Sequence, residues 1–176
     1  PRTATFHRLV PLALTSLAIS ISAGAWAANT PKPAEQATKD ANAALQKELP
    51  FSDKTSFDLA HKGFIAPLPA GMIKGAQGNL VWDPTKYDFI KEGAPAPDTV
   101  NPSLWRQSQL LNISGLFQVM DGIYQVRNYD LSNMTIVEGK EGLTIMDPLI
   151  STETAKAALD LYFQHRPQKP VVAVIY

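Results

Sequence analysis

Between residues 143 and 175 the hydrophobic period changes twice, and this stretch constrains the fold more than any other part of the chain. Residues 143–146 read as a strand, which Asp147-Pro148 ends. Ser151 can then cap a helix whose Ala155, Ala158, Leu159 and Tyr162 form an apolar stripe, closed by His165, Arg166 and Pro167. Residues 171–175 follow as an unbroken apolar run, the pattern of a strand covered on both faces. Strand, helix and strand in that order imply a right-handed crossover to a parallel neighbour.

The segment before it reads as antiparallel. Two strand-like runs, 116–120 and 123–127, flank Asp121-Gly122, which supplies the positive φ angles of a two-residue hairpin turn. A second hairpin pairs 134–137 with 143–146 across the loop Glu138-Gly139-Lys140-Glu141-Gly142. Ahead of both, Asn101 can cap a helix over 102 to about 112, with Pro102 at its first position and Leu104, Trp105, Ser108 and Leu111 on one face. Leu104, Trp105 and Leu111 read as core rather than as a detergent-binding stripe. The expected architecture is therefore α/β, with hairpins feeding a βαβ unit in a mixed sheet.

Residues 28–100 are irregular by comparison. Residues 34–49 carry apolar positions at Ala37, Ala41, Ala44, Leu45 and Leu49, a helix with a thin apolar face that stops at Pro50. Residues 51–100 are dense in proline and glycine, with short apolar pieces such as Gly63-Phe64-Ile65 and Asn79-Leu80-Val81-Trp82. Their aromatic content predicts a packed extension with one or two short strands.

The first 27 residues have the parts of a secretory signal peptide: basic Arg2, His7 and Arg8, an uncharged stretch over 9–22, and the small-x-small site Ala25-Trp26-Ala27. Pro11, Gly24 and four serines or threonines weaken that stretch as a membrane span, so no stable membrane anchor is expected. Export predicts a periplasmic or secreted protein. Loss of Arg2 and Arg8 with the leader leaves 14 of the 16 basic groups against 16 acidic ones, a net charge of −2 that gives no sign of nucleic-acid binding. The chain has no cysteine, which excludes a disulfide framework and a thiolate metal site or nucleophile within it.

A family resemblance rests on several segments in order. Residues 119–176 resemble the first half of the metallo-β-lactamase fold, in which strand, Asp, helix and strand lead into a His-x-His-x-Asp-His zinc loop. More specifically, Ala94-Pro95-Ala96-Pro97-Asp98-Thr99-Val100-Asn101-Pro102-Ser103-Leu104-Trp105-Arg106-Gln107, Gly122-Ile123-Tyr124-Gln125-Val126-Arg127, Asp130-Leu131-Ser132-Asn133-Met134 and residues 170–176 together resemble the exported alkyl sulfatases that hydrolyse dodecyl sulfate and related esters. The resemblance covers roughly residues 57–176. It implies the N-terminal part of a metallo-β-lactamase-like αββα sandwich with a mixed sheet, with 1–27 as signal peptide, 28–100 as extension and 101–176 as the first part of the domain. It further implies a homodimeric enzyme that cleaves linear alkyl sulfates with two zinc ions, whose ligands would follow Tyr176; the present residues alone are expected to be inactive. Another hydrolase of the same fold and a noncatalytic periplasmic interaction module are the alternatives.

Sites in open α/β sheets lie beyond the carboxyl ends of parallel strands, which directs attention to Asp147 and to residues 174–176. For Asp147 the resemblance implies a buried support for the zinc loop rather than a ligand, with a turn or cap role as the alternative. Arg127, Tyr129 and Asn133 lie near the mouth of the second hairpin; they can line a substrate entrance, although hydrogen bonding at a hairpin end is the commoner role. None of His7, His61 and His165 lies in a metal-binding pattern, and His165 suits a helix C-terminus.

Overall fold

The computed structural model describes residues 31–176, so the expected leader and His7 lie outside the described residues. In chain order the elements are α1 (Gln36–Glu48), α2 (Thr55–His61), β1 (Phe64–Ala66), β2 (Ile73–Lys74), β3 (Leu80–Trp82), α3 (Pro102–Leu111), β4 (Gly115–Met120), β5 (Ile123–Arg127), β6 (Asn133–Glu138), β7 (Leu143–Met146), α4 (Thr152–His165) and β8 (Val171–Ile175). A short 3-10 turn over Pro84–Tyr87 follows β3. Six strands form one sheet in the order β1-β4-β5-β6-β7-β8, and β2 pairs with β3 separately. All neighbours in the large sheet are antiparallel except β7 and β8, the parallel pair that the period change predicts.

Local chemistry explains the boundaries. Asn101 Oδ1 accepts from the amides of Ser103 and Leu104, and Ser151 Oγ accepts from Thr154 N, so both expected helix caps are present. At Asp121-Gly122 only the glycine takes a positive φ, +75°, and a register shift between Gln118 and Met120 absorbs the twist that a fully left-handed turn would have supplied. The irregular extension contributes three short strands and the helix α2, more order than the sequence suggests. Its β1 joins the main sheet beside β4, where a Cβ on Gly115 would lie 2.4 Å from the Ala66 carbonyl oxygen.

The core lies on one face of the sheet. Tyr124, Val126, Met134, Ile136, Leu143 and Ile145 alternate inward along β5, β6 and β7 and meet Ala158, Leu161 and Tyr162 of α4. The expected stripe on α4 is therefore correct at Ala158 and Tyr162, with Ala155 and Leu159 half-buried at its margin. Near the C-terminus of α4, Glu138 of β6 receives both Nε and Nη2 of Arg166, at 2.8 and 2.9 Å, and the Tyr162 hydroxyl. The Arg166 bonds hold the Glu138 carboxyl down at about 2, whereas burial raises the Tyr162 phenol.

Two expectations about burial are corrected. Leu104 and Leu111 are 60% and 62% exposed, while Trp105 is buried. The inner face of α3 is instead polar: Gln109 Nε2 donates to the carbonyls of Lys91 and Ala94, and Asn112 Nδ2 donates to those of Tyr87 and Ile90. These amides satisfy an irregular segment that has no ladder of its own. The second correction concerns β8, whose Val171, Val172, Val174 and Ile175 are 41–61% exposed. It is the outer strand, and α4 buries its apolar stripe against β5, β6 and β7 instead.

Candidate functional site

Beyond the carboxyl end of β7 the backbone takes two unusual turns, with φ of +53° at Asp147 and +69° at Leu149. A left-handed leucine costs on the order of 1–3 kcal/mol and persists only where its surroundings impose it. Here the main constraint is Asp130, which is 2% exposed. Its carboxylate accepts from Ser132 N and Ile150 N, each at 2.9 Å, and from the Thr154 hydroxyl at 2.7 Å. One side chain thus joins three segments: its own turn, the loop after β7 and the first turn of α4. Asp147 N also donates to Ile175 O at 2.9 Å, which ties the loop to the parallel strand.

Asp147 itself is exposed, so the expectation of a buried support does not describe its place in this chain. Its left-handed backbone turns the carboxylate outward, where Ser132 Oγ donates to it. The buried carboxylate that shapes the loop is Asp130, which in the sequence stands out only as part of the segment Asp130-Leu131-Ser132-Asn133-Met134. The local half of its role, an Asx turn to Ser132, is readable from Asp-x-Ser; the bonds to Ile150 and Thr154 are not.

A cavity of about 380 Å³ lies alongside, between α3, the 3-10 turn and the loop 128–133. Arg127 and Asn133 both line it, whereas Tyr129 does not; it is 4% exposed, and burial raises its phenol pKa. Arg127 is fixed by bonds from Nε to Gln125 Oε1 and from Nη1 to Ala60 O, both 3.0 Å, and stacks on Phe117 at 4.2 Å. Asn133 Oδ1 accepts from Asn128 N at 3.2 Å across the hairpin end. Asn133 thus makes the hairpin-end hydrogen bond its position allows, whereas Arg127 is tied to its own strand and to α2. Trp82 and Tyr87, stacked at 5.8 Å, form an aromatic wall, and Leu131 is 77% exposed beside the cavity. The arrangement suits a ligand with a long apolar part and a polar end.

Among the described residues no three His, Asp or Glu side chains converge in a metal-binding group. His61 Nε2 instead lies 2.8 Å from Glu92 Oε2 at the surface, and His165 is exposed at the end of α4. No described helix is long and apolar enough to cross a membrane.

Comparison with known proteins gives this geometry a context. No family model matches the chain. It is 77% identical over 163 residues to a linear primary-alkylsulfatase from Pseudomonas sp.. It is 56% identical over 145 residues to an (R)-specific secondary-alkylsulfatase from Pseudomonas sp. and 51% identical over 145 residues to an alkyl/aryl-sulfatase of Saccharomyces cerevisiae. These matches cover 93%, 82% and 82% of the chain, which spans only about a quarter of each relative: 24%, 22% and 22%. Among solved structures, the stereoselective inverting sec-alkylsulfatase Pisa1 from Pseudomonas sp. matches with a TM-score of 0.75 at 56% identity, over 82% of this chain and 23% of that one. The double mutant S233Y F250G of the same sec-alkyl sulfatase gives a TM-score of 0.76. The resemblance to alkyl sulfatases is borne out, and the mixed α/β fold is shared with the solved alkylsulfatases.

Proposed function

We propose that the protein carrying this chain is an alkyl sulfatase that hydrolyses linear primary alkyl sulfates, such as dodecyl sulfate, to alcohol and sulfate. The observation that carries this reading is the 77% identity to a linear primary-alkylsulfatase over 93% of the chain, against 56% to the secondary-alkylsulfatase. In this reading the cavity beside Asp130 receives part of the alkyl chain. Its aromatic wall and Leu131 offer the apolar surface, and the rigid Arg127 and Asn133 border it.

Two zinc ions belong to the same proposal. The described residues hold no metal-binding group, so the ligands would come from other parts of the protein, and zinc would supply an activated water and charge neutralisation for the ester. The chain's own contribution is to fix the loop after β7 through Asp130 and to present Asp147 outward from it. Export to the periplasm or medium and assembly as a homodimer complete the proposal.

The test is the full-length protein, assayed with dodecyl sulfate and a secondary alkyl sulfate before and after chelation. Preference for the primary ester, loss of activity on chelation and recovery with zinc are expected. Leu131→Asp should raise KM for dodecyl sulfate by about tenfold with little change in kcat, the effect of removing an apolar binding contact. Metal-independent turnover, or no turnover of alkyl sulfates, would reject the assignment.

A further inference from the structure

Ser132 belongs to two parts of the site at once. With Leu131 and Asn133 it lines the cavity of about 380 Å³, and its hydroxyl donates to Asp147 Oδ2. Its own amide donates to Asp130 Oδ1 at 2.9 Å, so the side chain that reaches Asp147 starts from a fixed backbone.

The contact closes a ring. Asp130 uses Oδ1 for Ser132 and Oδ2 for the Ile150 amide and the Thr154 hydroxyl, at 2.9 and 2.7 Å. Ser132 and Ile150 therefore hang from one buried carboxylate, and the bond from Ser132 to Asp147 joins their two loops a second time. Asp130 and Thr154 are 2% and 1% exposed, so this end of the ring lies in the core, where water does not replace a lost partner.

The backbone at Asp147 points to a demand other than stability. Asp147 takes a φ of +53° directly before Pro148, although a residue preceding proline is driven toward extended backbone. Glycine would hold that φ without a Cβ penalty. Aspartate brings a carboxylate instead, turned outward beyond the carboxyl end of the parallel strand β7, where α/β sheets place their reacting groups. Among the described residues Oδ2 receives the Ser132 hydroxyl, and Oδ1 accepts no hydrogen bond.

We propose that Ser132 is a positioning residue for the reaction: its hydroxyl holds Asp147 Oδ2 and so presents Oδ1 as the acceptor for an N–H or O–H donor of the reacting site. The inference rests on the hydrolytic function proposed above. Without the hydroxyl the carboxylate turns about its last side-chain bond, a soft torsion, and the acceptor is out of place for part of the time. Turnover then falls while affinity is kept, because the hydroxyl is committed to Asp147 and not to the cavity.

The experiment is a double-mutant cycle in the full-length protein, assayed with dodecyl sulfate. Ser132→Ala should lower kcat about tenfold with KM within about twofold of the parent, and its urea unfolding midpoint should stay close to the parent's. Ser132→Thr, which keeps a hydroxyl, should recover most of the loss. Asp147→Ala should lower kcat about a hundredfold, and adding Ser132→Ala to it should cost nothing more, because the hydroxyl then has no carboxylate to hold. Parental kcat in Ser132→Ala, a loss confined to KM, or losses that multiply in the double variant would overturn the positioning role and leave the proposed function standing. A parent protein that turns over no alkyl sulfate overturns both, so the two failures are told apart by the parent alone.

Discussion

Two carboxylates fasten α4 to the sheet, one near each end of the helix, and they use different chemistry. Asp130, at the N-terminal end, is buried and accepts only neutral donors, two backbone amides and a hydroxyl at 2.7–2.9 Å. Glu138, at the C-terminal end, is matched by the two-pronged guanidinium of Arg166 and by the Tyr162 hydroxyl. A cation compensates charge over a range of positions, whereas three neutral donors do so only where their geometry converges. The end held by geometry is the one that carries the left-handed Asp147 and Leu149. The end held by charge closes a regular hairpin. The difference indicates which end of the sheet must be accurate in position and which need only be stable.

Removal of the Asp130 carboxylate should break the first end most severely. Asp130→Ala strands three donors near the core and is expected to cost about 4 kcal/mol in urea unfolding. Asp130→Asn should recover little of this, because its amide would present N–H groups to donors. Full recovery by asparagine would show that volume, rather than acceptor geometry, holds the loop. At the other end Glu138→Gln should cost about 2 kcal/mol, and added salt should reduce the difference from the parent chain. Glu138 titrates at about 2 in the folded chain against an ordinary 4.5, so its contribution is present above pH 4.5 and is lost as pH falls from about 4.5 to about 2. The variant should lose that part of the pH dependence, and an unchanged acid limb would remove Glu138 from the charged clamp.

Much of this frame was legible in the sequence because its signals are local. The change of period over 143–175 placed the parallel pair, and Asn101 and Ser151 placed two helix starts. What stayed hidden depends on partners distant along the chain. Glu138 read as part of a charged loop because Arg166 lies 28 residues away. Asp130 read as one residue of a motif because Ile150 is 20 residues away and Thr154 is 24. On α3 the apolar pattern pointed to Leu104 and Leu111, whereas the helix turns Gln109 and Asn112 inward because the carbonyls of 87–94 need donors. Hydrophobic pattern cannot register that demand. Of the candidate entrance residues, Arg127 and Asn133 reach the cavity, and strand alternation alone does not say that Tyr129 turns into the core.

The finest distinction between the two ends concerns Ser132, which joins the buried carboxylate to the exposed one. Its amide is held by Asp130, while its hydroxyl donates to Asp147. Ser132→Ala keeps the first bond and removes the second, so it should cost less than about 1 kcal/mol of global stability. Its effect should appear locally, as faster hydrogen exchange at the Asp147 amide, which bonds to Ile175 O, with the Ile150 amide still protected by Asp130. If both amides lose protection together, the hydroxyl contact rather than the buried carboxylate fixes the loop. If neither changes, Asp147 is held by its backbone alone, and its exposed carboxylate is free to turn toward whatever the rest of the protein places beside it.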